Sequence, residues 1–146
     1  MKITFFLIMV LLTNNNCSAQ NNIDFHYQDK RQATETDSAG YKFYLENTSK
    51  EFLKKDYEVL LFFNNAAFID DVITINGKTY NFDNYTCGYR QIRVLKRDRK
   101  IKITSKKKES MEFDLKKGID YIIINGETDN KWSITFSEYF PTMSCL

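Results

Sequence analysis

Alternation of apolar and polar residues is the feature that most constrains how this chain can fold. From Ile23 onward, apolar residues recur at every second position in short segments, which turn-forming or charged residues separate. A period of two places alternate side chains on opposite faces of a β-strand, so each segment predicts a strand with one buried face. The predicted strands are residues 23–27, 41–45, 57–63, 68–75, 79–82, 91–95, 100–104, 110–115, 119–125 and 132–137.

The nearly regular spacing of these segments predicts an all-β fold. We expect a single-domain antiparallel β-sandwich, Ig-like or jelly-roll-like, of roughly eight to ten short strands. A small up-and-down β-barrel is the alternative, because closure of one sheet uses the same alternation. Asn76 and Gly77 predict a tight hairpin, since both residues tolerate a positive φ. Residues 29–40 lack large apolar side chains and predict an exposed loop, whereas Thr48 to Glu51 has the form of a helical capping box.

The N-terminal segment has the layout of an export signal. Lys2 precedes an apolar run at residues 3–12, which is shorter than the roughly 20 residues that span a bilayer. Cleavage after Ala19 would remove residues 1–19 and leave residues 20–146 as one β-sandwich domain. Cys17 offers an alternative, because a cysteine after an apolar run resembles the lipidated cysteine of bacterial lipoproteins. The expected location is therefore secreted or periplasmic, or else membrane-anchored as a lipoprotein.

Two cysteines, Cys87 and Cys145, would remain after that cleavage. An even number of cysteines in a chain bound for an oxidising compartment makes them candidates for a disulfide bond. Two unpaired thiols are the alternative, because the sequence does not fix the distance between the two Cα atoms.

The charges balance overall but cluster locally. The chain has 21 Lys and Arg against 19 Asp and Glu, so net charge indicates neither a nucleic-acid nor an acidic partner. Between positions 90 and 108 the residues are mostly basic, and Arg93, Lys100 and Lys102 are predicted to share the outer face of one hairpin. Such a surface suits an anionic glycan, lipid headgroup or phosphate, unless Glu112 and Asp114 pair with these cations across strands.

Aromatic residues supply the other ligand-binding candidates. Tyr85 and Tyr89 flank Cys87 and are predicted in an exposed loop, where their rings could stack on a sugar. Trp132 is in phase with its apolar neighbours and is expected in the core.

The sequence contains no recognisable catalytic or metal-binding motif. His26 is the only histidine, and we expect it at the surface. Asp70 and Asp71 form the one adjacent carboxylate pair, which we interpret as a solvated turn because neighbouring strand residues point to opposite faces. No catalytic residue, metal or cofactor is therefore predicted.

These features favour a non-enzymatic binding module that contacts a protein partner at the cell envelope, as an adhesion, inhibitor or immunity-type module. A carbohydrate-binding or anionic-ligand-binding module is the alternative, and a metal-independent hydrolase is the third hypothesis. No nucleic acid is expected as a partner, and membrane contact is expected only through a lipid anchor. An exposed apolar patch would favour the protein partner, an exposed row of aromatics a sugar, and a cleft with two facing carboxylates an enzyme.

Overall fold

The computed structural model of the protein describes residues 22–83, 88–126 and 131–142. Within these ranges two β-sheets pack face to face, which confirms the predicted all-β sandwich; neither sheet closes into a barrel. The predicted export signal with Cys17, the aromatic residue Tyr85 and the cysteines Cys87 and Cys145 lie outside the described residues.

The elements follow one another along the chain as mostly short strands. The strands are β1 Ile23–Gln28, β2 Glu58–Asn64, β3 Asp71–Ile75, β4 Lys78–Phe82, β5 Tyr89–Leu95, β6 Lys100–Ser105, β7 Met111–Asp114, β8 Tyr121–Gly126 and β9 Trp132–Ser137. The α-helix of the described part, α1, spans Glu35–Asn47, and 3-10 turns occupy Lys30–Gln32, Asn65–Phe68 and Lys96–Asp98.

The larger sheet has the strand order β1-β9-β8-β2-β5, and the smaller sheet has the order β4-β3-β6-β7. Two pairings in the larger sheet, β1 with β9 and β2 with β8, are parallel. The larger sheet is therefore mixed rather than antiparallel throughout. This arrangement leaves β1 and β5 as its two edges.

The core lies between the two sheets and contains the alternate apolar residues that the sequence predicts. Leu61 and Phe63 of β2 face Ile101 and Ile103 of β6 in one cluster, and all four are fully buried. Trp132 is also buried, as expected, and its indole N–H donates to the carbonyl of Glu109 at 2.9 Å. A hydrogen-bonded indole N–H allows so large a ring to be buried without an unsatisfied donor.

The predicted hairpin at Asn76 and Gly77 is confirmed. β3 and β4 pair in register up to Ile75 and Lys78, and the two turn residues have φ values of 47° and 84°. Positive φ at both central positions is the geometry whose twist matches that of the flanking strands.

The connection from β1 to β2 differs from the sequence prediction. Residues 29–40 were expected as a loop and residues 41–45 as a strand, but α1 occupies the second half of the first segment and all of the second. The helix begins at a capping box, in which Thr34 Oγ1 accepts from the Asp37 N–H at 3.2 Å and the Asp37 carboxylate accepts from the Thr34 N–H at 2.8 Å. Tyr41, Tyr44 and Leu45 fit a helical spacing as well as a strand, so the alternation there was ambiguous.

The capping box predicted at Thr48 to Glu51 does not form at Thr48, although a single turn follows, in which the N–H groups of Phe52 and Leu53 donate to the Ser49 carbonyl at 2.8 and 3.2 Å. Thr48 is the C-cap of α1, and its N–H donates to the carbonyl of Tyr44 at 3.0 Å. The capping side-chain pattern therefore falls where one helix ends, and residues 48–57 form turns.

We call α1 and the turns that follow it, residues 35–57, the helical layer. It covers the outer face of the larger sheet, where Tyr44 of α1 is buried with Leu60 and Phe62 of β2. The Tyr44 hydroxyl accepts from the Lys54 N–H at 2.8 Å, which ties the turns to the helix. Within the described ranges, no helix combines the length and the apolar character of a membrane span.

Candidate functional site

A pocket of about 350 Å³ lies where the helical layer meets the end of the larger sheet. Its volume is at the lower end of the range for small-ligand pockets. Three segments that are distant in sequence form it, namely the start of the helical layer, the start of β8 and the residues after β9. The lining residues are Lys30, Ala33, Asp37, Ser38, Tyr41, Asp120, Tyr121, Glu138, Tyr139 and Phe140.

Aromatic rings form one wall of this pocket. Phe140 packs against Tyr41 and Tyr121, with 5.5 Å between ring centroids in each case. Phe140 is itself held by Tyr44 at 5.0 Å and by Phe62 at 5.5 Å, so the wall rests on the buried contact between α1 and β2. The wall is therefore fixed by packing before any ligand arrives.

The Tyr121 hydroxyl remains a neutral phenol at physiological pH. Burial raises the pKa of Tyr121, and the neighbouring Tyr41 and Asp120 raise it further. Tyr41 and Tyr121 both line the pocket. The pocket consequently presents a hydroxyl pair beside its aromatic wall.

Asp37 places an ionised carboxylate on the helical side of the pocket. Its Oδ2 accepts from the Thr34 N–H at 2.8 Å and from Thr34 Oγ1 at 2.7 Å, and its Oδ1 accepts from the Thr142 N–H at 2.9 Å. Burial by itself would raise the pKa of Asp37, but these hydrogen bonds outweigh it and the pKa is lowered. A carboxylate at the first turn of α1 is also favoured by the helix dipole.

Glu138 provides a second ionised carboxylate in the pocket. Its carboxylate accepts from the Tyr27 hydroxyl and from the Lys30 N–H, the latter at 2.9 Å. The hydrogen bond from Tyr27 lowers the pKa of Glu138 most, and the hydrogen bond from Lys30 lowers it further. Within the described residues, neither Asp37 nor Glu138 forms an ion pair with a lysine or an arginine.

Asp120, the third carboxylate, is neutralised by two lysines. Lys96 Nζ lies 2.5 Å from its Oδ1 and Lys54 Nζ lies 3.1 Å from its Oδ2. The Lys54 side chain is only 9% exposed, and its ammonium lies 5.8 Å from the centre of the Tyr121 ring. Burial would raise the pKa of Asp120, but the hydrogen bonds from Lys96 and Lys54 outweigh it and the pKa is lowered. Among the pocket carboxylates of the described residues, Asp37 and Glu138 are therefore the two whose negative charge no lysine or arginine neutralises.

The predicted basic hairpin is wrong, because β5 and β6 belong to different sheets. The turn at Lys96–Asp98, followed by Arg99 at a φ of 58°, carries the chain from one sheet to the other. Arg93 consequently lies on the outer face of the larger sheet, whereas Lys100 and Lys102 lie on the outer face of the smaller one. These residues do not form one surface.

Arg93 binds the helical layer rather than facing solvent. Its Nη1 donates to the carbonyl of Glu51 at 2.9 Å and to that of Leu53 at 3.4 Å. The same nitrogen lies 3.9 Å from the carboxylate of Glu58. Through these contacts, Arg93 holds the turns of the helical layer on the sheet.

Lys100 and Lys102 are exposed and pair with acidic residues of β7. Lys100 Nζ lies 2.7 Å from Glu112 Oε1, and the strand register places Asp114 opposite Lys100 and Glu112 opposite Lys102. The hydrogen bond to Glu112 raises the pKa of Lys100. The expected cross-strand pairing is thus confirmed for Lys100 and Glu112.

Tyr89 does not lie in an exposed loop, as the sequence suggested. It is the first residue of β5 and packs, half-buried, against the cluster formed by Tyr44, Leu60 and Phe62. This burial raises the pKa of Tyr89. Its ring supports the helical layer and is not presented for stacking on a sugar.

Asp71 also contradicts the expectation of a solvated carboxylate pair, because it is only 1% exposed. Its Oδ1 accepts from the N–H groups of Val72 at 2.7 Å and Lys106 at 3.0 Å, and its Oδ2 accepts from Ser105 Oγ at 2.5 Å. Asp70, with a φ of 53°, stays exposed and turns the chain so that Asp71 points inward. His26 is exposed on β1, as expected.

Large exposed apolar side chains concentrate on the helical layer. Of the seven in the described residues, five lie between positions 41 and 57, with exposed fractions from 41% to 67%. The five are Tyr41, Phe43, Leu45, Phe52 and Tyr57. Of these five residues, Tyr41 also lines the pocket.

Comparison of the chain with protein-family models, with curated proteins and with solved structures finds no match. In residues 22–83, 88–126 and 131–142, no three His, Cys, Asp or Glu side chains lie close enough together to hold a metal ion.

Proposed function

We propose that this protein is a non-enzymatic binding module that contacts a protein partner at the cell envelope through its helical layer. The observation that carries the proposal is the concentration of exposed aromatic and aliphatic side chains at positions 41 to 57. Phe43, Phe52 and Tyr57 are each at least 60% exposed. Aromatic side chains are enriched at protein interfaces, where a partner removes their surfaces from water.

The pocket beside these side chains fits a basic side chain of the partner. Two ionised carboxylates, Asp37 and Glu138, line the pocket together with the aromatic rings, and Lys30 is the only cation among the lining residues. A guanidinium or ammonium group is attracted both by carboxylates and by the faces of aromatic rings. An arginine or lysine that enters the pocket would thus fix the position of an otherwise apolar contact.

A carbohydrate ligand is the second candidate function. Aromatic rings beside carboxylate and hydroxyl oxygens also suit a monosaccharide, which stacks its apolar face and donates its hydroxyl protons. The Tyr41 and Tyr121 hydroxyls and the Phe140 ring offer those groups in this pocket. The anionic-ligand form of this hypothesis loses support, since the pocket carboxylates repel anions.

Titration with small side-chain analogues tests which chemistry the pocket accepts. We expect n-butylguanidinium to give saturable NMR shifts at Tyr41, Tyr121 and Phe140, whereas the neutral n-butylurea gives none. Glu138→Gln removes the charge; its amide oxygen can still accept from the Lys30 N–H, and its amide nitrogen can donate to the Tyr27 hydroxyl oxygen. Because Glu138 is exposed and its charge is screened by water, this variant should weaken guanidinium binding by a few-fold at most.

The matched control is Glu112→Gln, which removes an exposed carboxylate from the other side of the sandwich. It should leave binding of n-butylguanidinium unchanged. Equal shifts with n-butylurea would contradict a site for a basic side chain. Saturable shifts with a methyl glycoside instead of the cation would favour the carbohydrate function.

A further inference from the structure

β1 offers a regular row of backbone groups at the edge of the larger sheet. The carbonyl of Asn22 accepts from the Trp132 N–H at 2.8 Å, and the carbonyl of Gln28 accepts from the Glu138 N–H at 3.1 Å. Because successive residues of a strand point their backbone groups to opposite sides, the even-numbered residues bond β9. The N–H and C=O groups of Ile23, Phe25 and Tyr27 consequently point away from the sheet.

This edge is unprotected within the described residues. No described strand pairs with it, and β1 contains no proline, lysine or bulge that would block pairing. Phe25 is 52% exposed and Tyr27 is 50% exposed, although both lie on the side of the sheet that faces the core. Phe25 stacks on the buried Phe136 with 6.0 Å between ring centroids. An apolar ledge therefore runs beside the free backbone groups.

We propose that β1 pairs with β1 of a second copy of this chain, antiparallel and about a two-fold axis at Phe25. The two five-stranded sheets then continue as one sheet of ten strands. In this register Ile23 faces Tyr27 of the second copy, and Phe25 faces its own counterpart. The outward N–H and C=O groups of Ile23, Phe25 and Tyr27 all become hydrogen-bonded, because residues in such pairs exchange both bonds.

The sequence of β1 is self-complementary in this register, which is why we assign the edge to a second copy. Asp24 faces His26 of the second copy, and the two-fold axis repeats this pair once more. Asn22 likewise faces Gln28. On one face the contacts are apolar, and on the other they join a carboxylate to an imidazole.

Other registers are disfavoured by charge and by backbone geometry. A slip by one residue would set outward backbone groups against groups that already bond β9. A slip by two residues would set Asp24 against Asp24, whose like charges destabilise a strand pair, or His26 against His26, which loses both carboxylate–imidazole contacts. The geometry therefore points to one register, which does not depend on the binding function proposed for the helical layer.

Exchange of Asp24 and His26 tests this dimer and its register. Asp24→His sets two histidines opposite each other, and His26→Asp sets two aspartates opposite each other, so each single variant should dimerise about tenfold more weakly. The double variant Asp24→His with His26→Asp should restore the dimer. A mixture of the two single variants should form a heterodimer in preference to either homodimer, as measured by native mass spectrometry and sedimentation.

Phe25→Lys places two lysines at the axis and should give a folded monomer that still unfolds cooperatively. Asn81→Lys, on the edge strand β4 of the smaller sheet, is the matched control and should not alter the dimer. Hydrogen exchange should protect the amides of Ile23, Phe25 and Tyr27 only in the dimer. A protein that is monomeric at millimolar concentration, or a dimer that Phe25→Lys leaves intact, would overturn the proposal. Failure of the mixed variants to prefer the heterodimer would overturn the register.

Discussion

Replacement of Asp71 by alanine is expected to lower the free energy of unfolding by about 3 kcal/mol. The carboxylate is buried and accepts three hydrogen bonds, including those from Ser105 Oγ and the Lys106 N–H. Ser105 Oγ in turn accepts from the N–H groups of Lys107 and Lys108, so the turn after β6 depends on this carboxylate. Loss of Asp71 leaves three partly buried donors without this acceptor, and a fully buried donor without an acceptor costs about 1–3 kcal/mol.

Chemical denaturation of the purified protein measures this effect. Asp70→Asn is the matched control, because asparagine tolerates the positive φ at this exposed position and should change stability by less than about 0.5 kcal/mol. Equal losses for the two variants would contradict the buried role of Asp71.

Removal of the charge of Asp120 is expected to cost about 2 kcal/mol, the second-largest effect. Asp120→Asn would leave the ammonium of Lys54, whose side chain is only 9% exposed, without its carboxylate. Breaking a fully buried pair costs about 3–5 kcal/mol, and the 35% exposure of the Asp120 side chain reduces the effect here. A double variant with Lys54→Met should recover part of the loss, since no buried charge then remains unpaired.

The pH dependence of stability provides an independent check on Asp120. Its pKa is lowered in the folded protein, so the unfolded chain binds more protons in the acid range. The stabilisation is therefore complete above the unfolded pKa, near pH 4, and is lost as the pH falls through the folded pKa. Asp120→Asn should flatten that part of the stability profile. An unchanged acid profile would contradict the pairing with Lys54 and Lys96.

The strands and the core could be predicted from the sequence because they depend on local alternation. Trp132 is buried in phase with its neighbours, and the hairpin at Asn76 and Gly77 follows from the φ preferences of two residues. Neither result required knowledge of which strands pair. The same local reasoning placed Lys100 opposite acidic residues of β7.

Strand pairing over long distances could not be read from the sequence, and the errors follow from that limit. Arg93 and Lys100 are seven positions apart, but a short 3-10 turn moves the chain from one sheet to the other between them. The pocket could not be predicted for the same reason, because Asp37, Asp120 and Glu138 meet only after three distant segments pack together. No spacing motif links such residues.

The helix α1 is an intermediate case, since its start had a local signal. Thr34 and Asp37 have the spacing of a capping box, and both reciprocal hydrogen bonds form. The helix interior gave no clear signal, because Tyr44 is its only buried residue and the alternation of residues 41–45 also suits a strand. Packing of Tyr44 against β2 decides between the two structures.

Site-specific photocrosslinking in the organism that produces the protein tests the central claim most directly, namely that the helical layer meets a protein partner. Benzoylphenylalanine at Phe43, which is 67% exposed, should form an adduct with one protein, and Glu138→Gln should lower the yield. The same probe at Lys102, on the outer face of the smaller sheet, should give no adduct. An adduct at Lys102 but none at Phe43 would contradict the assignment of the binding surface.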